Sequence, residues 1–311
     1  MQKKLSVTSS PHLRSGATSK RIMIDVCLAL LPAGIAGIIL FGTGAAKLIV
    51  VSVVSCLLAE FLYQKLTGQK VTVSDFSAVV TGLLLAYNLP ADAPIWIPVV
   101  GSVIAIILVK QIFGGLGSNF MNPALTARAV LFVSWASIMT SYPATRYMTD
   151  AVSGATPLGM LSNGTPVNLM DLLLGNCAGV LGETCKIALL LGGIYLIIRD
   201  VIDWKIPVCI LCSVFICFLL KDGFTAAMGQ VLSGGLMLGA FFMATDYVTS
   251  PVSNSGRIIM GILCGLMVFV IRAFANYPEG TSFAILFMNV LTPLIDRFTV
   301  PGKFGEVKKR G

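Results

Sequence analysis

Residues 22–41 read IMIDVCLALLPAGIAGIILF, a run of twenty residues in which Asp25 is the single charged residue. A helix needs about 20 mostly apolar residues to cross the roughly 30 Å hydrocarbon core of a bilayer. This stretch therefore predicts a membrane-spanning helix. It begins late, lacks a convincing cleavage site and is followed by further apolar stretches, which favours a retained helix over a secretory signal.

Nine more apolar stretches follow, the third of the ten being short but apolar throughout. Overall, 56% of the 311 residues are hydrophobic and 12% are charged, against about 25% charged in an average soluble domain. This composition excludes a soluble globule and a disordered chain, and it predicts an all-α integral membrane protein. The ten predicted spans are 22–41, 46–63, 76–89, 94–113, 123–141, 184–198, 206–220, 226–247, 258–275 and 282–298.

The net charge of +8 predicts an orientation. With ten spans both termini lie on one side, and that side then holds most of the 22 Lys and Arg residues. Cytoplasmic loops collect Lys and Arg, so both termini are expected to be cytoplasmic, and nucleic-acid binding is not needed to explain the charge. The opposite side keeps only Lys47, Arg146, Lys186 and Lys221, while Arg128 and Arg272 fall inside or at the edge of spans.

One long extracytoplasmic segment separates two five-helix halves. An odd number of spans in each half forces the halves into opposite orientations, as in an inverted repeat. Weak internal similarity agrees, since VVTGLLL at 79–85 resembles VLSGGLML at 231–238. The predicted organisation is a cytoplasmic tail (1–21), a first half (22–141), an extracytoplasmic loop (142–183), a second half (184–298) and a cytoplasmic tail (299–311).

Histidine and cysteine chemistry is poorly supported. The single histidine, His12, lies in the polar tail. Catalysis by a serine or cysteine nucleophile activated by histidine is therefore poorly supported. Cys209 and Cys212 form a C-x-x-C inside an apolar span without a second pair, so packing is favoured over a metal site. Cys177 and Cys185 could pair in an oxidising compartment. We expect no catalytic residue and no metal ligand.

A glycine-rich turn precedes the fifth span, at GGLGSN, residues 114–119. It follows a membrane helix and not a strand, which argues against a dinucleotide fingerprint. Asn119 and Asn122 stand where the chain enters the fifth span, at a helix N-terminus with free backbone N–H groups. They are either ligand contacts or a structural cap followed by Pro123.

The extracytoplasmic loop contains DAVSGAT, residues 150–156. This resembles the flavinylation motif, in which a transferase joins the phosphate of FMN to the last hydroxyl. Asp150, Ser153, Gly154 and Ala155 fit its acidic and small positions. The N-terminal tail repeats Ser-Gly-Ala-Thr, ending at Thr18, but it lacks the acidic residue and lies on the cytoplasmic side. Thr156 is therefore the candidate acceptor, with an ordinary surface turn as the alternative.

Nearly the whole chain resembles a known family, the D-type subunits of the Rnf complex, which is an ion-translocating ferredoxin:NAD oxidoreductase. The B-type subunits of the Na⁺-translocating NADH:quinone reductase are paralogues with a longer N-terminal part. The resemblance rests on residues 10–14, SPHLR, on 114–128, on 150–159 and on 244–251, ATDYVTSP.

The resemblance implies ten membrane helices in two inverted halves, with FMN on Thr156 and a role as an electron relay. It also implies a second, non-covalent flavin such as riboflavin near Asn119 and Asn122. The partners it implies are the outer-face flavin subunit, membrane iron–sulfur subunits, cytoplasmic NADH-side and ferredoxin-side subunits, and the flavin transferase. The expected location is the cell (inner) membrane, within the lipid bilayer.

Charged residues in or beside spans are costly and usually functional. Arg128 could stabilise a flavin phosphate or a reduced flavin, or it could be a cation snorkelling from a helix end. Asp246 and Thr249 could line a flavin or cation site, or form a polar cluster that ends a helix. Asp25 and Glu60 could relay cations or be packed polar residues.

Two other functional classes remain open. Inverted five-helix repeats with broken helices are also common in redox-free channels and transporters, and the short third span would then be a pore helix. An assembly scaffold is the remaining interpretation. The residues do not identify the coupling ion, Na⁺ or H⁺, or the direction of electron flow.

Overall fold

A computed structural model describes residues 18–143, 145, 156–165, 167–275 and 279–300. Its secondary structure is helical, with no strand in this part of the chain. Every predicted span coincides with a helical segment, so the all-α membrane fold is confirmed. Most of the two predicted tails lies outside the described residues.

The first half contains six helices. The short α6 follows the fifth span after a break at Trp135. The helices are α1 (Ser19–Phe41), α2 (Thr43–Leu66), α3 (Ser77–Tyr87), α4 (Trp96–Val103, continued by a π-helix at Ile104–Gln111), α5 (Pro123–Ser134) and α6 (Ala136–Met139).

Two short helices occupy the segment between the halves, and six more follow in the second half. The connecting helices are α7 (Pro157–Ser162) and α8 (Leu169–Leu174). The second half contains α9 (Lys186–Ile198), α10 (Lys205–Asp222), α11 (Phe224–Leu232), α12 (Leu236–Leu238, continued by a π-helix at Gly239–Met243), α13 (Asn254–Phe274) and α14 (Thr281–Thr299).

Helix lengths show which spans can cross a bilayer unaided. Among the described residues, α1, α2 and α13 are long and apolar enough to do so by length and composition. The pair α11 and α12 also passes if it is counted as one bent span. Large apolar side chains such as Ile35, Val50 and Leu191 are exposed, as expected of surface that faces lipid.

The third span is a half-helix, because α3 has only 11 residues and so rises about 16 Å. Non-helical backbone at membrane depth has to be enclosed by protein. The connecting segment supplies this enclosure: the N–H of Gly182 donates to the carbonyl of Tyr87 at 2.9 Å, and that of Leu181 to the carbonyl of Leu89 at 3.3 Å. A Cβ at position 182 would lie 2.4 Å from Cβ of Tyr87, so the approach requires glycine.

The eighth span is broken. Helices α11 and α12 are inclined at 64° to each other around Ser233, Gly234 and Gly235. Gly234 has φ +64°, in the left-handed region that glycine adopts at little cost. The hydropathy pattern predicts one continuous span here, and the structure shows two half-helices with a polar break between them.

Helix contacts repeat between the halves. Helix α2 packs on α3 and α4, just as α10 packs on α11 and α13, and α4 contacts α5 just as α13 contacts α14. The halves meet through equivalent helices, since α1 packs on α9 and α5 on α14. Contacts between equivalent elements are what a two-fold relation produces, and they support the predicted repeat.

Glycine allows the closest contact between the halves. A Cβ at Gly192 on α9 would lie 2.1 Å from the carbonyl oxygen of Ala29 on α1. We expect Gly192→Ala to destabilise the protein by about 1–3 kcal/mol, because the two backbones must separate. Leu191→Ala on the lipid-facing side of α9 should change stability by no more than about 0.5 kcal/mol. Detergent-induced unfolding of both variants measures the difference, and equal stabilities would contradict this account of the interface.

Candidate functional site

Thr156 stands directly before α7, where its side chain caps the helix. Its hydroxyl oxygen accepts a hydrogen bond from the N–H of Gly159 at 3.3 Å, and the residue is partly exposed. The other motif residues, Asp150, Ser153, Gly154 and Ala155, lie outside the described residues. The structure therefore places Thr156 at the start of α7, as a partly exposed capping residue.

A small cavity of about 20 Å³ lies beside Thr156. It has room for about one water molecule. Its lining brings Thr156 together with ionisable side chains from three other segments: Tyr142, Glu183, Lys186 and Glu279.

Five charged residues lie at or next to this cavity, and we call them the charged cluster: Arg128, Glu183, Lys186, Arg272 and Glu279, of which all but the partly buried Glu279 are buried. The guanidinium of Arg128 pairs with Oε2 of Glu279 and lies 3.6 Å from Oε1 of Glu183. Arg128 is 4% exposed, so its interpretation as a snorkelling cation is wrong. Its donors are directed at protein carboxylates and at the side-chain oxygen of Asn88.

The other two cations of the cluster satisfy backbone carbonyls at the break in the eighth span. Lys186 donates to the carbonyls of Glu183 and Gly234. Arg272 donates to the carbonyls of Gln230 at 2.6 Å and Ser233 at 3.2 Å. The last carbonyls of a helix have no partner within the helix and carry partial negative charge. The cations thus stabilise the end of α11 where the span breaks.

Sequence reasoning identifies Arg128 but misses its partners. Glu183, Lys186 and Glu279 all lie within a few residues of a predicted span boundary, where charged residues are ordinarily solvated. The available signal is the rule that ionisable residues at membrane depth are usually functional. If this rule were also applied to residues at the span boundaries, it would identify Glu183, Lys186 and Glu279 as candidate functional residues.

A larger cavity, of about 370 Å³, lies at the opposite end of the bundle, where α1 begins. We call it the N-side cavity. Its walls are mainly apolar side chains of α1, α3, α9 and the π-helix after α12, including Met23, Val80, Leu84, Leu196 and Phe242. Polar side chains in the lining include Asn119, Asn122, Asp246, Thr81 and Lys110.

The asparagines at the N-side cavity have structural partners as well. Asn122 caps α5, since its side-chain oxygen accepts from the N–H groups of Ala124 and Leu125 at 3.1 and 3.2 Å. Asn119 donates to Oδ2 of Asp246 at 3.3 Å. Asn122 therefore has the predicted role of a cap while it also borders the cavity.

Asp246 and Thr249 form a polar cluster beyond the eighth span. The hydroxyl of Thr249 donates to Oδ2 of Asp246 at 3.4 Å. Burial raises the pKa of the Asp246 carboxyl, against hydrogen bonds from Val248, Asn119 and Thr249 that lower it. Asp246 lines the N-side cavity, and Thr249 lies behind it.

The remaining acidic candidates are ion-paired. Glu60 receives hydrogen bonds from Lys110 at 3.0 and 3.1 Å, and Lys110 also donates to the hydroxyl of Ser77. Asp25 pairs with Arg199 at 3.2 Å. These contacts favour the interpretation of Glu60 and Asp25 as packed polar residues.

Polar contacts connect the charged cluster with the N-side cavity through the centre of the protein. Arg128 donates to Asn88, and the amide of Asn88 contacts the sulfur of Met243 at 3.8 Å. The amide of Asn122 donates to the carbonyl of Met243 at 3.2 Å. We call these contacts between Arg128 and Asn122 the central polar chain.

All eight cysteines are free thiols, including Cys177 and Cys185. Within the part of the chain that the structure describes, no group of three or more His, Cys, Asp or Glu side chains is arranged to hold a metal ion.

The fold and these sites define a multi-pass, all-α membrane protein with two related halves and a buried charged cluster between them. A family model described as "NQR2, RnfD, RnfE family" matches residues 6–305. The chain belongs to this family, and the resemblance seen in the sequence is confirmed.

Named relatives cover nearly the whole chain. The D subunit of a Na(+)-translocating ferredoxin:NAD(+) oxidoreductase complex from Acetobacterium woodii is 49% identical over 98% of this chain and 96% of its own length. The D subunit of a proton-translocating ferredoxin:NAD(+) oxidoreductase complex from Clostridium ljungdahlii is 40% identical over 96% of each. The D subunit of an ion-translocating oxidoreductase complex from Escherichia coli is 36% identical over 97% of this chain and 99% of its own length.

The charged cluster generates a stability prediction. We expect Arg128→Met to cost about 3–5 kcal/mol, because it leaves buried carboxylates without their cation. Lys221→Met removes the cation of an exposed ion pair with Asp222 and should cost no more than about 1 kcal/mol. Detergent-induced unfolding compares the two, and similar losses would mean that the cluster does not stabilise the fold.

Proposed function

We propose that this protein is a membrane subunit of an ion-translocating ferredoxin:NAD oxidoreductase complex, and that it carries FMN linked through its phosphate to Thr156. The names of relatives that match the chain nearly end to end support the first part. The motif at 150–156 supports the second part.

The observation that carries the flavin proposal is the position of Thr156. Thr156 is partly exposed, so a transferase could reach it. The adjoining cavity of about 20 Å³ is far too small for an isoalloxazine ring. The residues present therefore fit a phosphoester at Thr156 with the ring held outside this cavity, towards the surface or a neighbouring subunit.

The charge around Thr156 suits a phosphoester. The charged cluster contains three cations and two carboxyl groups, and Lys186 lies in the wall of the same cavity as Thr156. A phosphodiester adds one negative charge beside this excess of positive charge, which is favourable at low dielectric. FMN, when bound, supplies one-electron and two-electron transfer, while the protein anchors it and sets the surrounding charge.

We propose a second, non-covalent flavin such as riboflavin in the N-side cavity. Its volume of about 370 Å³ lies in the range typical of small-molecule sites, which are mostly apolar with a few polar groups. Asn119, Asn122 and Asp246 are placed to contact the polar edge of such a ring. Arg128, in contrast, is directed at its protein partners.

The assembly follows from the same proposal. The partners are an outer-face flavin subunit, membrane iron–sulfur subunits, subunits on the NADH and ferredoxin side, and the flavin transferase.

The positive charge of the terminal loops supports cytoplasmic termini in the inner membrane. With this orientation Thr156 faces outward and the N-side cavity faces the cytoplasm. Either Na⁺ or H⁺ is compatible with the relatives' names.

The covalent flavin is tested by removing its acceptor hydroxyl. We expect protein made together with a flavin transferase to keep its yellow colour and in-gel fluorescence after denaturation. Thr156→Val should lose both, because no phosphoester can form without the hydroxyl. The peptide that contains Thr156 should be heavier by the FMN increment in mass spectrometry.

Thr18→Val is the matched control, since Thr18 ends the second Ser-Gly-Ala-Thr string and should leave the flavin unchanged. Wild-type protein that is colourless after denaturation would refute the flavin proposal and favour a redox-free channel. Electron transfer that persists in Thr156→Val would instead favour an assembly scaffold.

The second flavin is tested by filling the N-side cavity. We expect Thr81→Phe to abolish retention of riboflavin in the native protein, because the added ring occupies the cavity. The matched control is Leu83→Phe on the same helix, since Leu83 lines a different, lipid-facing groove. Chromatography of flavin released on denaturation measures retention. Equal retention in both variants would place the second flavin elsewhere.

A further inference from the structure

Two carboxyl groups meet at the break in the eighth span. Glu183 comes from the segment before α9, and Glu279 comes from the segment before α14. A Cβ at Gly235 would lie 2.8 Å from Oε1 of each glutamate. The two oxygens are therefore no more than twice that distance apart, 5.6 Å, and each carboxyl group shifts the pKa of the other.

The neighbouring donors do not satisfy these two oxygens. Arg128 pairs with the other oxygen of Glu279, and its 3.6 Å approach to Oε1 of Glu183 is too long for a hydrogen bond. Lys186 and Arg272 donate to backbone carbonyls. Among the described residues, Oε1 of Glu183 and Oε1 of Glu279 are buried and have no hydrogen-bond partner.

Two more unpaired oxygens lie around the same place. The hydroxyls of Thr184 and Ser233, each 1% exposed, have no hydrogen-bond partner within the described chain. Both residues line the cavity of about 20 Å³ beside Thr156, together with the two glutamates. The cavity and its unpaired oxygens mark a built polar site and not a chance approach of two acids.

A buried oxygen without a donor is costly, and two facing carboxylates also repel each other. One shared proton removes both the unpaired oxygens and the repulsion, because the protonated carboxyl group then donates a hydrogen bond to the other carboxyl group. We propose that Glu183 and Glu279 form a proton-binding site that holds one shared proton, carried by Glu183. Glu279 remains the carboxylate because Arg128 is paired directly with it.

The electrostatics of the surroundings agree with this assignment. Burial and the neighbouring Glu279 raise the pKa of Glu183 well above its usual 4.5, although Arg128 and Lys186 oppose the shift. Burial alone would raise the pKa of Glu279 as well, but Arg128 and a hydrogen bond donated by protonated Glu183 lower it.

Apart from the cations Arg128, Lys186 and Arg272, the titratable groups that face the pair are neutral near pH 7. Burial raises the pKa of the Tyr142 hydroxyl above its usual 10, and it raises the pKa of the Cys177 thiol to about 11. Arg272, the remaining cation of the cluster, faces the pair from α13.

The cavity leaves space for a water molecule beside the pair. One water in the cavity beside Thr156 could contact the carboxyl pair and the hydroxyls of Ser233 and Thr184. The proton would then be bound at the Thr156 end of the protein, far from the N-side cavity. Its affinity would increase with negative charge on Thr156, a consequence that rests on the proposed function.

Infrared spectroscopy tests the shared proton directly. At pH 7 we expect a carboxylic-acid C=O band that shifts in D₂O and disappears in Glu183→Gln. The exposed Asp92, replaced by Asn, serves as the control and should leave the band unchanged. The band should also be present in Thr156→Val, so the result does not depend on whether Thr156 carries a flavin.

The dependence of folding stability on pH provides a second test of the shared proton. The pKa of Glu183 is higher in the folded protein than in the unfolded chain, so the stability it contributes is complete below about pH 4.5 and is lost as the pH rises through the folded pKa. Glu183→Gln should flatten this loss while keeping the fold, since its amide can donate to Glu279. Glu279→Gln should lower Tm strongly, because it removes the carboxylate that pairs with Arg128.

Two results would overturn the proposal. One is the absence of an acid band that depends on Glu183 at pH 7, which would mean that both carboxyl groups are ionised. The other is loss of the band when Na⁺ replaces choline at constant ionic strength, which would show that the pair binds a metal cation and not a proton.

Discussion

The ion pair between Arg128 and Glu279 connects the two halves of the protein at their polar centre. Arg128 projects from α5 of the first half, and Glu279 precedes α14 of the second half. A guanidinium at 4% exposure is tolerated only where carboxylates or other acceptors surround it. The halves must therefore associate before either charge is satisfied. This requirement favours one arrangement of the two bundles, which apolar packing between helices specifies less strongly.

The broken helices follow from the same requirement. A continuous eighth span would satisfy its own backbone and deprive Lys186 and Arg272 of the carbonyls that they bind at the break. The break at residues 233–235 leaves backbone carbonyls at the end of α11 without helical partners. Lys186 and Arg272 donate hydrogen bonds to these carbonyls. Gly235 leaves the space in which the two glutamates meet. The backbone break, the cations and the acids form one interdependent unit.

The ten spans could be predicted because hydropathy is a local property that a window of about 20 residues captures. Arg128 and Asn122 could also be identified, since each is polar within or beside a span. The break in the eighth span could not, because Ser-Gly-Gly at 233–235 also occurs in continuous membrane helices packed through small residues. Glu183 and Glu279 could not be paired, because almost a hundred residues separate them in the sequence. Only the fold brings them together.

The two ends of the protein differ in kind, and the central polar chain shows how they are related. Near Thr156 the interior is charged and nearly filled, whereas the N-side cavity is apolar and roomy. The chain between them passes from Arg128 through Asn88 and Met243 to Asn122. At Met243 it uses a sulfur atom and a backbone carbonyl, which accept hydrogen bonds but have no proton to donate. The chain therefore cannot relay a proton between the two ends.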